Sequence, residues 1–447
     1  MPTDLRAALD DVLPGVRRDL EELVRIESVS ADPARHDEVR RSAARTAELF
    51  EAEGFGVRTV TVGGGLPAVI AHKAGPSGSP TVLLYAHHDV QPEGSHDAWD
   101  TSPFAPTERG ARLYGRGAAD DKAGIAAHLA AVRAHGAELP VGVTVFVEGE
   151  EEVGSATLPT ILKEHQASLR CDVIVIADSA NWDIGTPALT TSLRGLADCV
   201  VEVRSLEHAV HSGIWGGVAP DSLTALCRLL ATLHTEEGDV AVEGIASGKA
   251  AALDYPEHRV RAEAGILDGV DLIGTGSIVD RLWTKPAIAV IALDATRVAD
   301  ASNTLIPSAR AKISLRVPPG QDAVAALKQL KAHLNDHAPW GVQVTVTDGD
   351  TGQPYAVNAN GPAYDAARAA FAEAWDGQQP VDMGMGGSIP FIAQFAEIFP
   401  EAAILVTGVE DPDTRAHGAN EGLHLAEFKR VCLAEALLLR NVADAVR

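Results

Sequence analysis

Short, almost continuously apolar stretches recur along the chain, and this pattern is typical of strands buried on both faces of a sheet. Up to about residue 190 they alternate with segments whose apolar residues recur at helical spacing. The first two helical segments cover about 4–25 and 35–53. Alternation of this kind predicts an α/β fold with a mostly parallel sheet. The apolar runs are TVLLYA (81–86), VTVFVE (143–148), DVIVIA (172–177) and AAILVTG (402–408).

The middle of the chain has a different pattern. Strand-like and helical runs follow one another there in the order β-α-β-β-α-β, which is typical of a ferredoxin-like α+β domain. A polar insertion rich in glycine and alanine, at about 235–286, interrupts this order. We therefore predict one α/β domain built from both ends of the chain, with a smaller α+β domain inserted. The predicted segments are 1–190, 191–353 and 354–447.

Composition narrows the possible partners and surroundings. The formal net charge of −25 argues against nucleic acid, because phosphate binding needs a clustered positive surface. No apolar run approaches the roughly 20 residues that cross a bilayer, and the first residues lack the apolar stretch of a signal peptide. Cysteines 171, 199, 227 and 432 form no CxxC pair. We interpret them as buried free thiols, as expected in a reducing cytoplasm.

Acidic residues and histidines are concentrated where the predicted strands end. Open α/β sheets bind their ligands at the carboxyl ends of strands, so side chains from several strands can meet there. Two histidines with several carboxylates suit zinc, manganese or cobalt rather than calcium. Five ligands suit two ions that share a carboxylate better than one tetrahedral ion. The candidates are His87, Asp89, Asp120, Asp121, Glu150, Glu151, Glu152, Asp178 and His417.

Each candidate also has an ordinary structural interpretation. A histidine at a strand end is commonly a loop residue, adjacent glutamates are commonly solvated, and an Asp pair commonly caps a helix. Their joint position at one sheet edge is what favours a metal site. Within LLYAHHDVQP, residues two apart point the same way, so His87 and Asp89 can face one cavity. His88 should point elsewhere, and we interpret it as structural.

Taken in order, nine segments resemble the di-metal aminoacylase and dipeptidase superfamily, most closely its cytosolic non-specific dipeptidase and carnosinase branch. The resemblance covers about residues 20–440 and implies a di-metal hydrolase domain with a lid and dimerisation domain inserted, and hence a homodimer. The segments are LLYAHHDVQP, PFAPTERGARLYGRGAADDKAG, EGEEEVGS, IADSANW, LTTSLRG, HAVHSGIWGG, NTLIPSARAKISLRV, MGGSIPFI and GVEDPDTRAHGANE.

The resemblance also implies a role for each matching metal-site residue. One divalent ion would be bound by His87, Asp120 and Asp178. A second would be bound by Asp120, Glu152 and His417, with Asp120 bridging. Zinc is the expected metal, with manganese and cobalt as alternatives. Asp89 would support His87, and Glu151 would act as general base on a metal-bridging water. The following Val-Gly-Ser fixes this register and leaves Glu150 in a position that is otherwise not acidic in the family.

Substrate contacts are implied for residues of the inserted domain and the last segment. His211 would reach the active site of the neighbouring subunit and stabilise the oxyanion, and Arg316 would hold a substrate carboxylate. Thr304 and Ser388 fall on positions that contact substrate in the family. The implied reaction is hydrolysis of the amide bond of dipeptides or short peptides with a free C-terminal carboxylate. Alternatives are an N-acyl amino acid deacylase of the acetylornithine or succinyl-diaminopimelate type, a mononuclear zinc hydrolase and a non-catalytic metal-binding scaffold.

Overall fold

The structure, a computed structural model, describes residues 4–250, 252–387 and 390–446. The chain folds into two compact units. Unit 1 contains residues up to 191 together with 357–383 and 394 onward, and unit 2 contains 192–356 and 384–393. The first elements are α1 (Leu5–Val24), α2 (His36–Ala52), β1 (Gly56–Val60), β2 (Ala68–Lys73), β3 (Thr81–His87), β4 (Thr107–Arg109), β5 (Arg112–Tyr114), α3 (Lys122–His135), β6 (Gly142–Glu148), α4 (Leu158–Glu164), α5 (Gln166–Leu169), β7 (Val173–Ile176) and β8 (Ala188–Leu193).

The remaining elements follow in the same way. Those of the middle segment are β9 (Gly195–Arg204), β10 (Val210–His211), α6 (Ser212–Trp215), α7 (Ser222–Ala231), α8 (Glu257–Ala264), β11 (Ala287–Asp294), β12 (Thr304–Leu305), β13 (Ser308–Val317), α9 (Ala323–Asp336), β14 (Gln343–Gly352) and β15 (Tyr355–Ala356). The last are α10 (Pro362–Ala374), β16 (Val381–Met385), α11 (Pro390–Ile398), β17 (Ala403–Val406), β18 (Gly422–His424) and α12 (Leu425–Ala445).

The main sheet of unit 1 has the strand order β1-β2-β6-β3-β7-β17-β8. Its central strands β6, β3, β7 and β17 are parallel, and the flanking pairs are antiparallel. The central strands are apolar on both faces because helices cover the sheet, and Val82, Leu83 and Leu84 of β3 are completely buried. Their carboxyl ends therefore meet at one edge, where loops carry polar side chains.

The helices of unit 1 bury apolar stripes against this sheet and one another. In α1, Leu5, Leu9, Val16 and Leu20 recur at helical spacing and are buried in the same core as β3. Helix α3 begins after Asp121, whose side chain accepts a hydrogen bond from the Gly124 N–H at 3.2 Å. A small sheet of β18, β5 and β4 lies in the same unit.

Unit 2 contains a four-stranded antiparallel sheet in the order β11-β13-β9-β14. With α7 and α9 it has the β-α-β-β-α-β order that the sequence pattern predicts for this segment. Its core is separate from that of unit 1, and it is formed by alternating residues of the strands with the apolar faces of the two helices. Strand β11 lies at one edge of this sheet. The insertion contains α8 and a π-helical turn, Asp280–Thr284.

Two expectations concern cysteines and membranes. All four cysteines are free, as predicted, but only Cys199 and Cys432 are buried. Cys171 is half-buried and Cys227 is exposed, so the prediction of buried thiols is wrong for these two. Cys227 lies on α7, on a side away from the buried Ala225, Leu226 and Leu229. Among the described residues, no helix is both long enough and apolar enough to cross a membrane.

Candidate metal centre

The centre is built on the end of β3, a strand in the middle of the main sheet. His87 is its last residue and is completely buried. The Nδ1 atom of His87 lies 3.0 Å from the carbonyl oxygen of Asp89 and 3.5 Å from its Oδ1 atom. These contacts fix the imidazole ring so that Nε2 is directed away from Asp89. The expected pairing of His87 with Asp89 is therefore present, through both the main chain and the side chain.

Asp120 lies between the two histidines of the centre. Its Oδ1 atom is 3.1 Å from His87 Nε2, and its Oδ2 atom is 3.0 Å from His417 Nε2. His417 Nε2 also lies 3.3 Å from Glu152 Oε2. One carboxylate thus contacts two imidazole nitrogens that are far apart in the chain, through a different oxygen for each. A carboxylate that bridges two cations also uses one oxygen for each.

The paired glutamates are held at the same edge by Asp89. Its carboxylate oxygens accept hydrogen bonds from the N–H groups of Glu151 at 3.2 Å and Glu152 at 3.1 Å. Asp89 therefore orients His87 and also the short helical turn that carries both glutamates. Potential ligand atoms of His87, Glu151 and Asp178 lie within 4.8 Å of one another, and those of His87, Asp120 and Glu152 do so too. All these residues belong to unit 1.

The positive groups of the protein do not fully balance the negative charge of the carboxylates in this cluster. Burial raises the pKa of Glu151 well above its usual range, and the neighbouring Asp178 adds to the effect. Burial, with repulsion from Asp120, raises the pKa of Glu152 to about 8. Burial likewise raises the pKa of Asp178 to about 6, although His87 opposes the shift. Carboxylates crowded in this way need nearby positive charge to ionise together.

The same crowding of carboxylates also raises the pKa values of the two histidines. Burial alone would lower the pKa of His87, but its contacts with Asp120 and Asp89 raise it well above the usual value. Contact with Asp120 likewise raises the pKa of His417. The set of two imidazoles and four carboxylates fits two divalent ions, because these side chains are the ligands that zinc, manganese and cobalt prefer.

Glu150 and His88 lie next to the cluster in sequence but make their contacts outside it. Glu150 accepts a hydrogen bond from the Leu66 N–H at 2.8 Å and another from the Thr157 hydroxyl, so it connects two loops. Of the three consecutive glutamates, only Glu151 and Glu152 therefore belong to the cluster. His88 contacts the Pro67 carbonyl at 2.8 Å through Nε2, and burial lowers the pKa of its ring to about 4. It is a neutral structural residue, as interpreted from the sequence.

Several residues around the centre were missed by sequence reasoning. The Gln91 N–H and side-chain amide donate to separate oxygens of Glu152, at 3.0 and 2.8 Å. Glu421 is completely buried beneath Asp120 and accepts the Asp120 N–H at 3.1 Å. Gln91 lies four residues after His87, and Glu421 lies four residues after His417. The sequence indicated these two residues only by their closeness to a predicted ligand. Taken alone, each has the pattern of an ordinary loop residue.

The predicted substrate residues lie in unit 2. His211 of β10 pairs directly with Thr304 of β12, and both are exposed, so two residues far apart in sequence are neighbours. The His211 Nδ1 atom accepts the Gly213 N–H at 3.0 Å, which leaves Nε2 available for another contact. Ser388 lies outside the described residues.

Arg316 has a second arginine beside it. Arg316 is half-buried on β13 and pairs with Leu196 of β9. Continuing this antiparallel register places Arg194 on the same face as a diagonal neighbour. The Arg194 side chain is buried and donates to the carbonyls of Gly386, Arg281 and Lys285. Burial, with repulsion from Arg316, lowers the pKa of Arg194 to about 10. Two like charges on one face favour binding of an anion.

Comparison with known proteins matches this arrangement to an enzyme family. The model of Peptidase family M20/M25/M40 matches residues 83–441. The chain belongs to this family. The M20 match includes all five predicted metal ligands, and the prediction of a metallopeptidase is confirmed. The α/β fold class predicted from the sequence is confirmed as well.

Individual relatives agree with the family assignment. The cysteinylglycine-S-conjugate dipeptidase of Corynebacterium striatum is 34% identical over 428 residues, covering 94% of each chain. The human β-Ala-His dipeptidase is 30% identical over 445 residues, covering 93% of this chain and 84% of the relative. The structure of human carnosine dipeptidase 1 superposes with a TM-score of 0.82 at 26% identity, covering 98% of both chains. The dipeptidase Dug1p of Saccharomyces cerevisiae also gives 0.82, at 22% identity and complete coverage of both chains.

Proposed function

We propose that this M20 peptidase is a dipeptidase that hydrolyses the amide bond of dipeptides and short peptides with a free C-terminal carboxylate. The observation that carries the proposal is the position of Asp120 between His87 and His417, with Glu151, Glu152 and Asp178 at the same sheet edge. Relatives that span nearly the whole chain are named as dipeptidases, and this favours peptide hydrolysis over N-acyl amino acid deacylation.

Two divalent ions fit the centre, and we assign them to the ligand sets predicted from the sequence. His87, Asp120 and Asp178 would hold one ion, and Asp120, Glu152 and His417 would hold the other. The ions, when bound, supply positive charge that polarises a carbonyl group and lowers the pKa of water. We propose zinc, with manganese and cobalt as alternatives. A solved relative described as a dinuclear metal-binding peptidase, from Bacillus subtilis, supports the number of ions at a TM-score of 0.62 and 14% identity.

Glu151 would serve as the general base and then as the general acid. It is the one carboxylate of the cluster that the predicted ligand sets leave without an ion, and it lies beside His87 and Asp178. In the reaction it would take a proton from the attacking water and donate it to the leaving amine. Its raised pKa suits this exchange, because an efficient proton carrier has a pKa close to the working pH. Asp89 would hold its backbone in place.

Residues of unit 2 would recognise the rest of the substrate. We assign the C-terminal carboxylate to Arg316, whose planar guanidinium can donate two parallel hydrogen bonds. The adjacent Arg194 adds positive charge to the same face of the sheet. His211 would donate a hydrogen bond to the developing oxyanion through Nε2, with Thr304 and Ser388 as further substrate contacts. We propose that unit 2 acts as a lid whose closure completes the site.

A homodimer formed through unit 2 is part of the proposal, with His211 acting in the partner's active site. The feature that supports a dimer is the edge strand β11, where Val290, Ile291 and Leu293 are each between 45% and 57% exposed. An uncovered edge strand with apolar side chains is suited to pairing with a second chain. We place the protein in the cytoplasm, where its four free cysteines would stay reduced.

The proposal is tested with metal-stripped protein that is reconstituted separately with zinc, manganese and cobalt. Each form is assayed with Xaa-Gly dipeptides, β-alanyl-histidine and N-acetyl amino acids. We expect two bound ions per chain and hydrolysis of the dipeptides but not of the N-acetyl compounds. Preferential hydrolysis of N-acetyl substrates would instead establish a deacylase. Binding of two ions without amide hydrolysis of any substrate would establish a metal-binding scaffold, and one active ion would establish a mononuclear hydrolase.

A further inference from the structure

We propose that Glu421 and Arg116 are positioning residues that fix the proposed metal ligands Asp120 and His417. The inference rests on the proposed function, because it takes Asp120 and His417 as ligands. Both positioning side chains are almost completely buried, at 0% and 1% exposure, and they form an ion pair at 2.6 Å. Below, they are called the Glu421–Arg116 clamp.

The carboxylate of Glu421 organises the loop that carries Asp120. Its Oε2 atom accepts hydrogen bonds from Arg116 Nη1 and, at 3.0 Å, from the Gly117 N–H. Its Oε1 atom accepts the N–H groups of Ala119 at 2.9 Å and Asp120 at 3.1 Å. Three amides of the loop thus converge on one carboxylate, and the last of them belongs to the bridging residue itself. These hydrogen bonds fix the path of the loop into Asp120 through its backbone, so its side-chain oxygens remain available for other contacts.

The Arg116 side chain extends the same support to the loop that carries His417. Its Nη2 atom donates to the carbonyl of Gly418 at 3.1 Å, directly after His417. The guanidinium also lies over the ring of Trp99, with its carbon atom 5.6 Å from the ring centroid. One guanidinium therefore contacts Glu421 and the backbone of the His417 loop. Asp120 and His417 are connected through the clamp as well as through their own contact.

The His417 loop needs such support because its backbone is strained. Arg415, His417 and Asn420 all have positive φ values, at 58°, 61° and 62°. Residues other than glycine adopt this conformation at a cost in free energy, so it persists only where other contacts impose it. The clamp supplies contacts at Gly418 and Glu421, and the Asn420 side chain binds the backbone of Ala98 and Asp100.

Secondary structure explains how two distant segments form the clamp. Arg116 follows β5 and Glu421 precedes β18, and these strands pair antiparallel with Gly422 opposite Tyr114. The Gly115 N–H donates to the Glu421 carbonyl at 3.1 Å, which continues the pairing beyond the strands. The small sheet thus brings together two segments that carry metal ligands. Replacing a buried ion pair by apolar residues is often tolerated for stability alone, so a positioning role is the more specific explanation of this one.

The test is binding of Co²⁺ to the metal-free full-length protein, followed by titration and by the visible absorption of the bound ion. In Glu421→Gln we expect the first Co²⁺ to bind somewhat more weakly than in the unmodified protein, because Asp120 belongs to both proposed ligand sets. The second should bind about 10–100-fold more weakly with an altered spectrum, because loss of a residue that orients a ligand has effects of this size. The matched control is Glu435→Gln, which removes another buried carboxylate, ion-paired to His128 at 2.8 Å. It should bind both ions normally.

A second variant and a measurement on the unmodified protein test the positioning role independently of Glu421→Gln. Arg116→Lys retains the charge beside Glu421, but a single ammonium group does not reproduce the fork that also contacts Gly418, so the second site should again weaken. In the metal-free unmodified protein, the amides of Gly117, Ala119 and Asp120 should already be protected from hydrogen exchange.

The experiments distinguish failure of the proposed function from failure of the positioning role. If the unmodified protein does not bind two ions, the proposed function is wrong. If it does, but both variants bind two ions with unchanged affinity and spectrum, the positioning role is wrong. Unprotected amides in the metal-free protein would overturn it equally, since the loop would then be ordered by metal and not by the clamp. This last measurement requires no variant and therefore decides the question even if Glu421→Gln does not fold.

Discussion

At the scale of single residues, neighbouring carboxylates in the sequence EGEEEVGS have different tasks because their surroundings differ. Glu150 accepts hydrogen bonds from Leu66 and Thr157, whereas Glu151 lies within ligand distance of His87 and Asp178. In the short helical turn that follows Glu150, adjacent side chains point in different directions. Neighbouring glutamates therefore contact different residues. Substitution of each glutamate in turn therefore distinguishes structural from catalytic carboxylates.

We expect Glu151→Gln to keep both metal ions and to lose about 10²–10⁴-fold in kcat, because glutamine cannot carry the proton. Metal content by elemental analysis and kcat with a dipeptide substrate are the two measurements. Glu150→Gln is the matched control; its amide can still accept the Leu66 N–H, so kcat should be nearly unchanged. A Glu151→Gln enzyme with normal kcat would remove Glu151 from the mechanism.

Arg316→Ala should reduce kcat/KM for dipeptides with a free carboxylate by about 10–100-fold, since a hydrogen bond to a charged group contributes about 1.5–3 kcal/mol. Dipeptides with an amidated C-terminus should be affected much less. Arg310→Ala, on the same strand but paired with the exposed Asp294, provides the control. Equal losses for the free and the amidated dipeptides would contradict a carboxylate contact at Arg316.

At the scale of elements, much of the fold could be predicted because the apolar runs and the helical spacing recur regularly along the chain. The strand predicted at 81–86 is observed as Thr81–His87, and the helix predicted at about 4–25 is observed as Leu5–Val24. Contacts that depend on tertiary structure could not be predicted. The pairing of His211 with Thr304 joins two strands of two residues each, and Glu421 is buried under Asp120 in a loop. Segments this short have no periodic pattern.

The edge strand β11 allows a prediction about assembly. Ile291 has no partner in the strand register with β13, which shifts between Val290 and Ala292, and its side chain is 57% exposed. Ile291→Lys should therefore preserve the fold while shifting the protein from dimer to monomer, as measured by sedimentation velocity. Leu267→Lys, at a site that is 75% exposed in the insertion, is the control and should leave assembly unchanged. A dimer that persists in Ile291→Lys would place the subunit contact elsewhere.

At the scale of the whole molecule, the acidic cluster should make stability depend on metal and pH together. A carboxylate whose pKa is raised in the folded state stabilises the fold below its unfolded pKa, and this contribution is lost as pH rises through the folded value. In the metal-free protein the relevant values are about 6 for Asp178 and about 8 for Glu152. The raised pKa values of His87 and His417 act in the same direction.

The melting temperature of the metal-free protein should therefore fall as pH rises from about 5 to about 8. Divalent ions provide the missing positive charge, so the loaded protein should show a much smaller fall over the same interval. Differential scanning calorimetry with and without Zn²⁺ measures both. The double variant Asp178→Asn, Glu152→Gln should flatten the metal-free curve. A metal-free protein that becomes more stable across this interval would contradict the assignment.

The position of strand β17 in the chain affects when the main sheet can be completed during synthesis. It lies inside the main sheet, between β7 and β8, yet it is made only at Ala403–Val406, and His417 follows it. While the ribosome is still synthesising the chain, the sheet has a gap at this place. The proposed metal centre can therefore form only after β17 and His417 have been synthesised. Until then the partly synthesised chain lacks His417, one of the side chains that the proposed centre requires.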